Sequence, residues 1–170
     1  VSLDISEDLG LTVLYARLSG WIADTFAMEE LPSLDLVNEV VTTRIRDGWF
    51  PMDFSFGAGT NALLFTNTED VLDGWRLISA PPSTIEVQST VAGYRAEGFT
   101  PVGISSLDNG QMGLLFLSLP ELEALTSIIV GMSKDPEEAV VTIQSMVDEG
   151  WTPLSVTTTE TEMVVLFLQL

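Results

Sequence analysis

The sequence predicts an α+β protein made of three tandem βαββ units, packed into one compact pseudo-threefold body with antiparallel hairpins and one helix per unit. Three observations carry this expectation. An acid-Gly-aromatic-x-Pro segment occurs three times, as Asp47-Gly48-Trp49-Phe50-Pro51, Glu97-Gly98-Phe99-Thr100-Pro101 and Glu149-Gly150-Trp151-Thr152-Pro153. A Leu-Phe pair follows each at matched distance, at Leu64-Phe65, Leu115-Phe116 and Leu166-Phe167. A proline precedes each, at Pro32, Pro82 and Pro136. Such self-similarity marks a repeat architecture. The units run 1–70, 71–120 and 121–170, and the short links Asn67–Gly74 and Pro120–Thr126 favour close packing over a linear array of lobes.

Each unit opens with a strand, expected at Leu11–Leu18, Trp75–Ala80 and Ser127–Met132. A helix follows, starting near the proline, whose missing N–H costs nothing at a helix N-terminus. Asp135 with Glu138, and Ser83 with Glu86, have capping-box spacing; Ser33 caps the first helix, where Leu36 replaces the glutamate. Val37 and Val41, Val87 and Val91, and Ala139 and Ile143 recur at helical spacing, with Ile45, Tyr94 and Met146 extending the stripe, so each helix has one apolar face. The repeat glycine then ends the helix in a left-handed conformation.

After the glycine the period changes to two. Met52, Phe54 and Phe56 alternate with Asp53 and Ser55; Val102 and Ile104 with Gly103 and Ser105; Leu154 and Val156 with Ser155 and Thr157. These read as half-buried strands. Turns follow at Gly57-Ala58-Gly59, at Asp108-Asn109-Gly110 and over Thr157 to Glu162, the Asn-Gly pair being a strong hairpin signal. The second hairpin strands, Ala62–Thr66, Gly113–Ser118 and Met163–Gln169, are apolar without interruption, which predicts central strands buried on both faces. The first unit departs from the others. Residues 20–31 read as an insertion between its first strand and its helix, with Trp21, Ile22, Phe26 and Met28. An insertion that the scaffold does not need is a place for function, or a flap over an open end of the core.

Glu149-Gly150-Trp151-Thr152-Pro153-Leu154 and Glu97-Gly98-Phe99-Thr100-Pro101-Val102 give the chain a resemblance to a family of small bacterial strand-helix-strand-strand domains of unknown function with an "EGW" motif after the helix. The second copy has Phe for Trp and the first has Asp47 for Glu. The resemblance implies the fold of each unit and no activity.

Charge is the distinctive compositional feature. Twenty-five acidic residues face six basic ones, Arg17, Arg44, Arg46, Arg76, Arg95 and Lys134, for a formal net charge of -19. A strongly negative field repels nucleic acid and anionic lipid and attracts basic proteins and cations. Charged residues make up only 18% of the chain, so the imbalance comes from scarce cations more than from added acids. Neither histidine nor cysteine is present. That removes the commonest general base, the usual catalytic triad, thiolate chemistry, disulfides and most transition-metal sites. No Walker or dinucleotide-binding glycine motif and no EF-hand spacing occurs. The paired acids Glu29-Glu30, Glu69-Asp70, Glu137-Glu138 and Asp148-Glu149 read as solvated groups, the last two at helix ends. No signal peptide and no apolar run long enough to span a bilayer is expected, which points to a cytoplasmic protein without a membrane partner.

The expectation is therefore a non-enzymatic acidic protein with no cofactor that binds a basic partner. One concrete form is a mimic of nucleic-acid charge that blocks a nucleic-acid-binding protein, as a phage or plasmid anti-defence factor would. The candidate interaction residues are Trp21, Phe26, Trp75, Glu29, Glu30, Glu69 and Asp70; core packing is the competing explanation for the aromatics. The alternatives are a small-molecule module with a pocket between units or under residues 20–31, a self-associating structural protein, and adaptation to high salt.

Overall fold

A computed structural model of the chain describes residues 2–6, 10–14, 25–57, 60–67 and 72–169. Its elements, in order, are β1 (Ser2–Ser6), β2 (Gly10–Leu14), β3 (Thr25–Leu31), a 3-10 turn (Leu34–Leu36), α1 (Val37–Arg46), β4 (Trp49–Gly57), β5 (Thr60–Asn67) and β6 (Gly74–Ala80). Then follow α2 (Thr84–Ala96), β7 (Thr100–Ser106), β8 (Met112–Ser118), the short α3 (Pro120–Glu123), β9 (Thr126–Met132), α4 (Pro136–Asp148), β10 (Thr152–Thr158) and β11 (Met163–Gln169). The protein is α+β, with three antiparallel three-stranded sheets, a β1-β2 hairpin and four α-helices among the described residues.

The three sheets share one strand order, β3-β5-β4, β6-β8-β7 and β9-β11-β10. The strand with the Leu-Phe pair is central in each, and Phe65, Phe116 and Phe167 are fully buried. Each helix ends at a glycine with positive φ, 80° at Gly48, 87° at Gly98 and 92° at Gly150, a conformation that glycine adopts without the Cβ penalty. The strand after it carries a bulge at a matched place, skipping Met52, Val102 and Leu154. Trp49, Phe99 and Trp151 lie beneath matched helix residues. The Arg44 guanidinium is 5.9 Å from the Trp49 ring, and Tyr94 meets Phe99 edge-on at 6.4 Å. Met146 and Trp151 pack on one cluster with Phe167. The Asn109-Gly110 hairpin has a left-handed Gly110, with the Gln111 amide bonded to the Asn109 side chain.

The first unit corrects the sequence reading. Thr25–Leu31, read as part of an insertion, pairs along its whole length with β5 and is the first strand of that sheet. The expected strand Leu11–Leu18 is instead represented by β2, which pairs with β1 outside the three sheets. The link from first strand to helix turn is therefore as short in this unit as in the others. The adjacent acids Glu29 and Glu30 hide the strand pattern: Glu29 points to Arg44 of α1 and forms an ion pair with it, while Glu30 is exposed.

Capping also differs. Asp135 Oδ1 accepts the amides of Glu137 and Glu138 at 3.0 and 3.2 Å, but its own amide donates to Ser133 Oγ, so Glu138 has no reciprocal role. Ser83 makes no side-chain cap; its neighbour Thr84 donates to Glu162 Oε1 instead. Ser33 Oγ accepts the Asp35 amide and caps the 3-10 turn rather than α1 itself.

The post-glycine strands are buried on both faces, where one solvated face was expected. Asp53, Ser55, Ser105, Ser155 and Thr157 are all buried. The reason is that β4 packs on β7 and β7 on β10, while β1 lies against both β4 and β10. The approach is close enough to require a glycine. A Cβ on Gly103 would lie 2.5 Å from Asp53 Oδ1 and 3.1 Å from Asp53 Cα. Gly103→Ala should therefore cost about 1–3 kcal/mol in urea unfolding. Gly93→Ala, on the exposed side of α2 with open space around it, should instead stabilise by about 0.5–1 kcal/mol.

Candidate functional site

The sequence-nominated residues do not gather at one place. Phe26 and Glu30 stand on one face of β3, both exposed, while Glu29 is on the opposite face with Arg44. Trp75 occupies the place in β6 that Phe26 occupies in β3, but is half-buried against the main core. Trp21, Glu69 and Asp70 lie outside the described residues, as does Arg17.

Sequence reasoning missed a buried polar seam. Asp53, Gly103 and Ser155 are each five residues past a repeat glycine, and they meet. Ser155 Oγ is 2.9 Å from Asp53 Oδ1, and Gly103 lies against the Asp53 backbone. The Ile104 amide donates to Ser155 Oγ at 3.0 Å. Two further bonds repeat each other: the Phe56 amide donates to Ser105 Oγ at 3.1 Å, and the Ser106 amide to Thr157 Oγ1 at 2.8 Å. Ser106 Oγ also bonds to the Thr158 carbonyl. Hydroxyls thus take up amides of β4 and β7 that point away from their own sheets. The signal was present in the sequence as small or hydroxyl residues at matched places, Ser55, Ser105 and Thr157 among them. The side chains of Asp53, Ser105, Ser155 and Thr157 are closed to solvent, so the seam specifies how the strands meet.

Among the described cations Arg44 and Arg95 are half-buried, while Arg46, Arg76 and Lys134 are exposed. Arg95 bonds to the carbonyls of Leu122, Glu123 and Leu125 and to Thr100 Oγ1, tying the end of α2 to the link that carries α3. Arg44 pairs with Glu29 and faces the Trp49 and Phe65 rings. Arg76 lies 4.8 Å from the Phe99 ring centre and donates to the Trp75 carbonyl. Lys134 Nζ donates to the Thr159 carbonyl. Many acids face solvent: Glu121 and Glu123 on α3, Glu137 and Glu138 at the start of α4, and the C-caps Asp47, Glu97 and Glu149 are all exposed. Acids suit the positive end of a helix, but the three C-cap acids face its negative end, where they are unfavourable.

A cleft of about 220 Å³ lies between the first and second units, lined by Val37, Phe56, Leu77, Ile78, Ser79, Leu107 and Gly113. It is smaller than the roughly 300–1,000 Å³ usual for small-molecule sites. No cluster of three or more acidic side chains suited to a metal ion stands among the described residues, and no helix there is long and apolar enough to cross a membrane. Comparison with protein-family models, curated proteins and solved structures gives no match.

Two outcomes follow. Asp53→Ala removes an acceptor from a buried network and should cost about 3 kcal/mol, whereas Asp53→Asn, which keeps an acceptor oxygen, should cost less, as read by thermal and urea unfolding. Glu149→Gln should raise the melting temperature, by a stabilisation of about 0.3–1 kcal/mol. Glu97→Gln should give less, because α2 already has Arg95 in its last turn and α4 has no cation there.

Proposed function

We propose that the protein is a non-enzymatic acidic interaction module that binds a basic partner, a nucleic-acid-binding protein being the class its charge best fits. The observation that supports this reading is the partition of charge. Arg44 and Arg95 are half-buried against rings, a carboxylate and carbonyls, and among the described residues exposed acids far outnumber the exposed cations Arg46, Arg76 and Lys134. Exposed carboxylates on a rigid frame give long-range steering and complementarity to a basic surface. The C-cap acids support the same reading, since they stand where helix stability disfavours them in all three units.

On this reading the frame is one βαββ unit used three times about a pseudo-threefold axis near Asp53, Gly103 and Ser155. The resemblance to the EGW-motif bacterial domains belongs to this frame and brings no activity with it. Binding would mimic nucleic-acid charge and occlude the partner's phosphate-contacting surface.

The test is direct binding of the purified protein to a panel of basic nucleic-acid-binding proteins and size-matched acidic controls, at about 0.05 M and about 0.5 M salt. The reading expects binding to basic members only, weakened by salt and displaced by duplex DNA. It fails if no basic protein binds at the lower salt, or if acidic controls bind equally well.

A further inference from the structure

The chain packs the helix of its second unit on the opening strand of the third, and it leaves the two halves of a matching seam exposed. In that seam α2 covers β9. The Ile129 amide of β9 donates to Gln88 Oε1 at 3.0 Å, and Thr84 reaches Glu162 beside Gly131. Arg95, two turns along the same helix face, bonds to the carbonyls that precede β9. Ile129 is 4% exposed as a result. Between the first and second units, Val37 of α1 faces Leu77 and Ile78 of β6 across the cleft.

Counting from the helix-ending glycine, Val140 and Val147 of α4 occupy the places of Gln88 and Arg95 in α2. They are 64% and 42% exposed. On the strand side, Met28 of β3 pairs with Leu64 as Ile129 pairs with Leu166. Met28 is 50% exposed and Phe26, on the same face, 48%. The last helix and the first strand thus present complementary apolar faces, each matching a surface that is covered elsewhere in the chain. Within one chain β1 lies between β4 and β10, where direct contact of the first and third units would otherwise run.

We propose that these faces join two copies of the protein head to tail, with α4 of one copy on β3 of the next. The occupant is a second copy because the interface repeats the α2–β9 seam, and because both halves belong to the same chain. Such an interface is heterologous, so each copy keeps one α4 face and one β3 face free for further addition. Its salt response is opposite to that of basic-partner binding. Copies of net charge -19 repel, and Glu30, Glu137 and Glu138 flank the two faces, so added salt screens repulsion and strengthens association. The proposal is independent of the basic-partner reading, and either can fail alone.

Sedimentation velocity of the full chain over a concentration series, at about 0.05 M and about 0.5 M salt, tests it. The weight-average mass should rise with concentration, and more steeply at the higher salt. Val147→Glu and Met28→Glu should each return the protein to monomer with circular dichroism unchanged, because both side chains are exposed, and Val147→Glu should melt slightly lower through its added charge in the last turn of α4. Mixed together, the two variants should form a 1:1 dimer that grows no further, since one retains a sound β3 face and the other a sound α4 face. That complementation also shows that both variants are folded. A monomer at every concentration in both salts would overturn the proposal. So would single variants that associate as well as the parent, or a mixture of variants that stays monomeric.

Discussion

Three-stranded sheets have two edges, and an edge amide buried without an acceptor costs as much as a lost hydrogen bond. This constraint organises the molecule. The strands β4, β7 and β10 are edges of their own sheets, yet they are buried against one another. A continuous backbone ladder between sheets would need the strands coplanar. The chain uses side-chain hydroxyls instead: Ser105, Ser155 and Thr157 accept amides of the neighbouring strand, and Asp53 accepts from Ser155 where the three strands meet. Satisfied polar groups in a low-dielectric interior fix a unique arrangement, whereas an apolar contact of the same size would tolerate sliding. The matched bulges at Met52, Val102 and Leu154 belong to the same solution, because they bend each strand as it enters the seam.

The aromatic landmarks pack beneath the helices, and Arg44 and Arg95 are half-buried against groups of their own chain. What faces solvent is an acidic exterior together with the two apolar faces on α4 and β3. The first is the basis of the proposed binding to a basic partner and the second of the proposed head-to-tail association, and salt separates the two.

Much of the frame was legible in the sequence because each landmark has a local cause. The glycines at 48, 98 and 150 mark left-handed helix ends, and the apolar runs around Leu64-Phe65, Leu115-Phe116 and Leu166-Phe167 mark central strands. Three things were not legible. Strand β3 was concealed because Glu29 has an ion-pair partner and Glu30 is exposed, which breaks the apolar pattern. The burial of Asp53, Ser55 and Ser155 was concealed because a period of two reports one sheet face and cannot register a second sheet arriving on the other. The candidate site was least legible, since Phe26 and Trp75 hold matched places and differ only in what covers them. Coverage is set by neighbouring units, so no local pattern encodes it.

The central claim, that the units are locked through hydroxyl-to-amide bonds between sheet edges, is tested most directly by native-state hydrogen exchange at Phe56, Ile104 and Ser106, whose amides point away from their own sheets. The account predicts that these three exchange only through global unfolding, with the same denaturant dependence as the central-strand amides of Phe65 and Phe116. Rapid exchange at all three, at rates typical of exposed edge strands while the central strands stay protected, would contradict it.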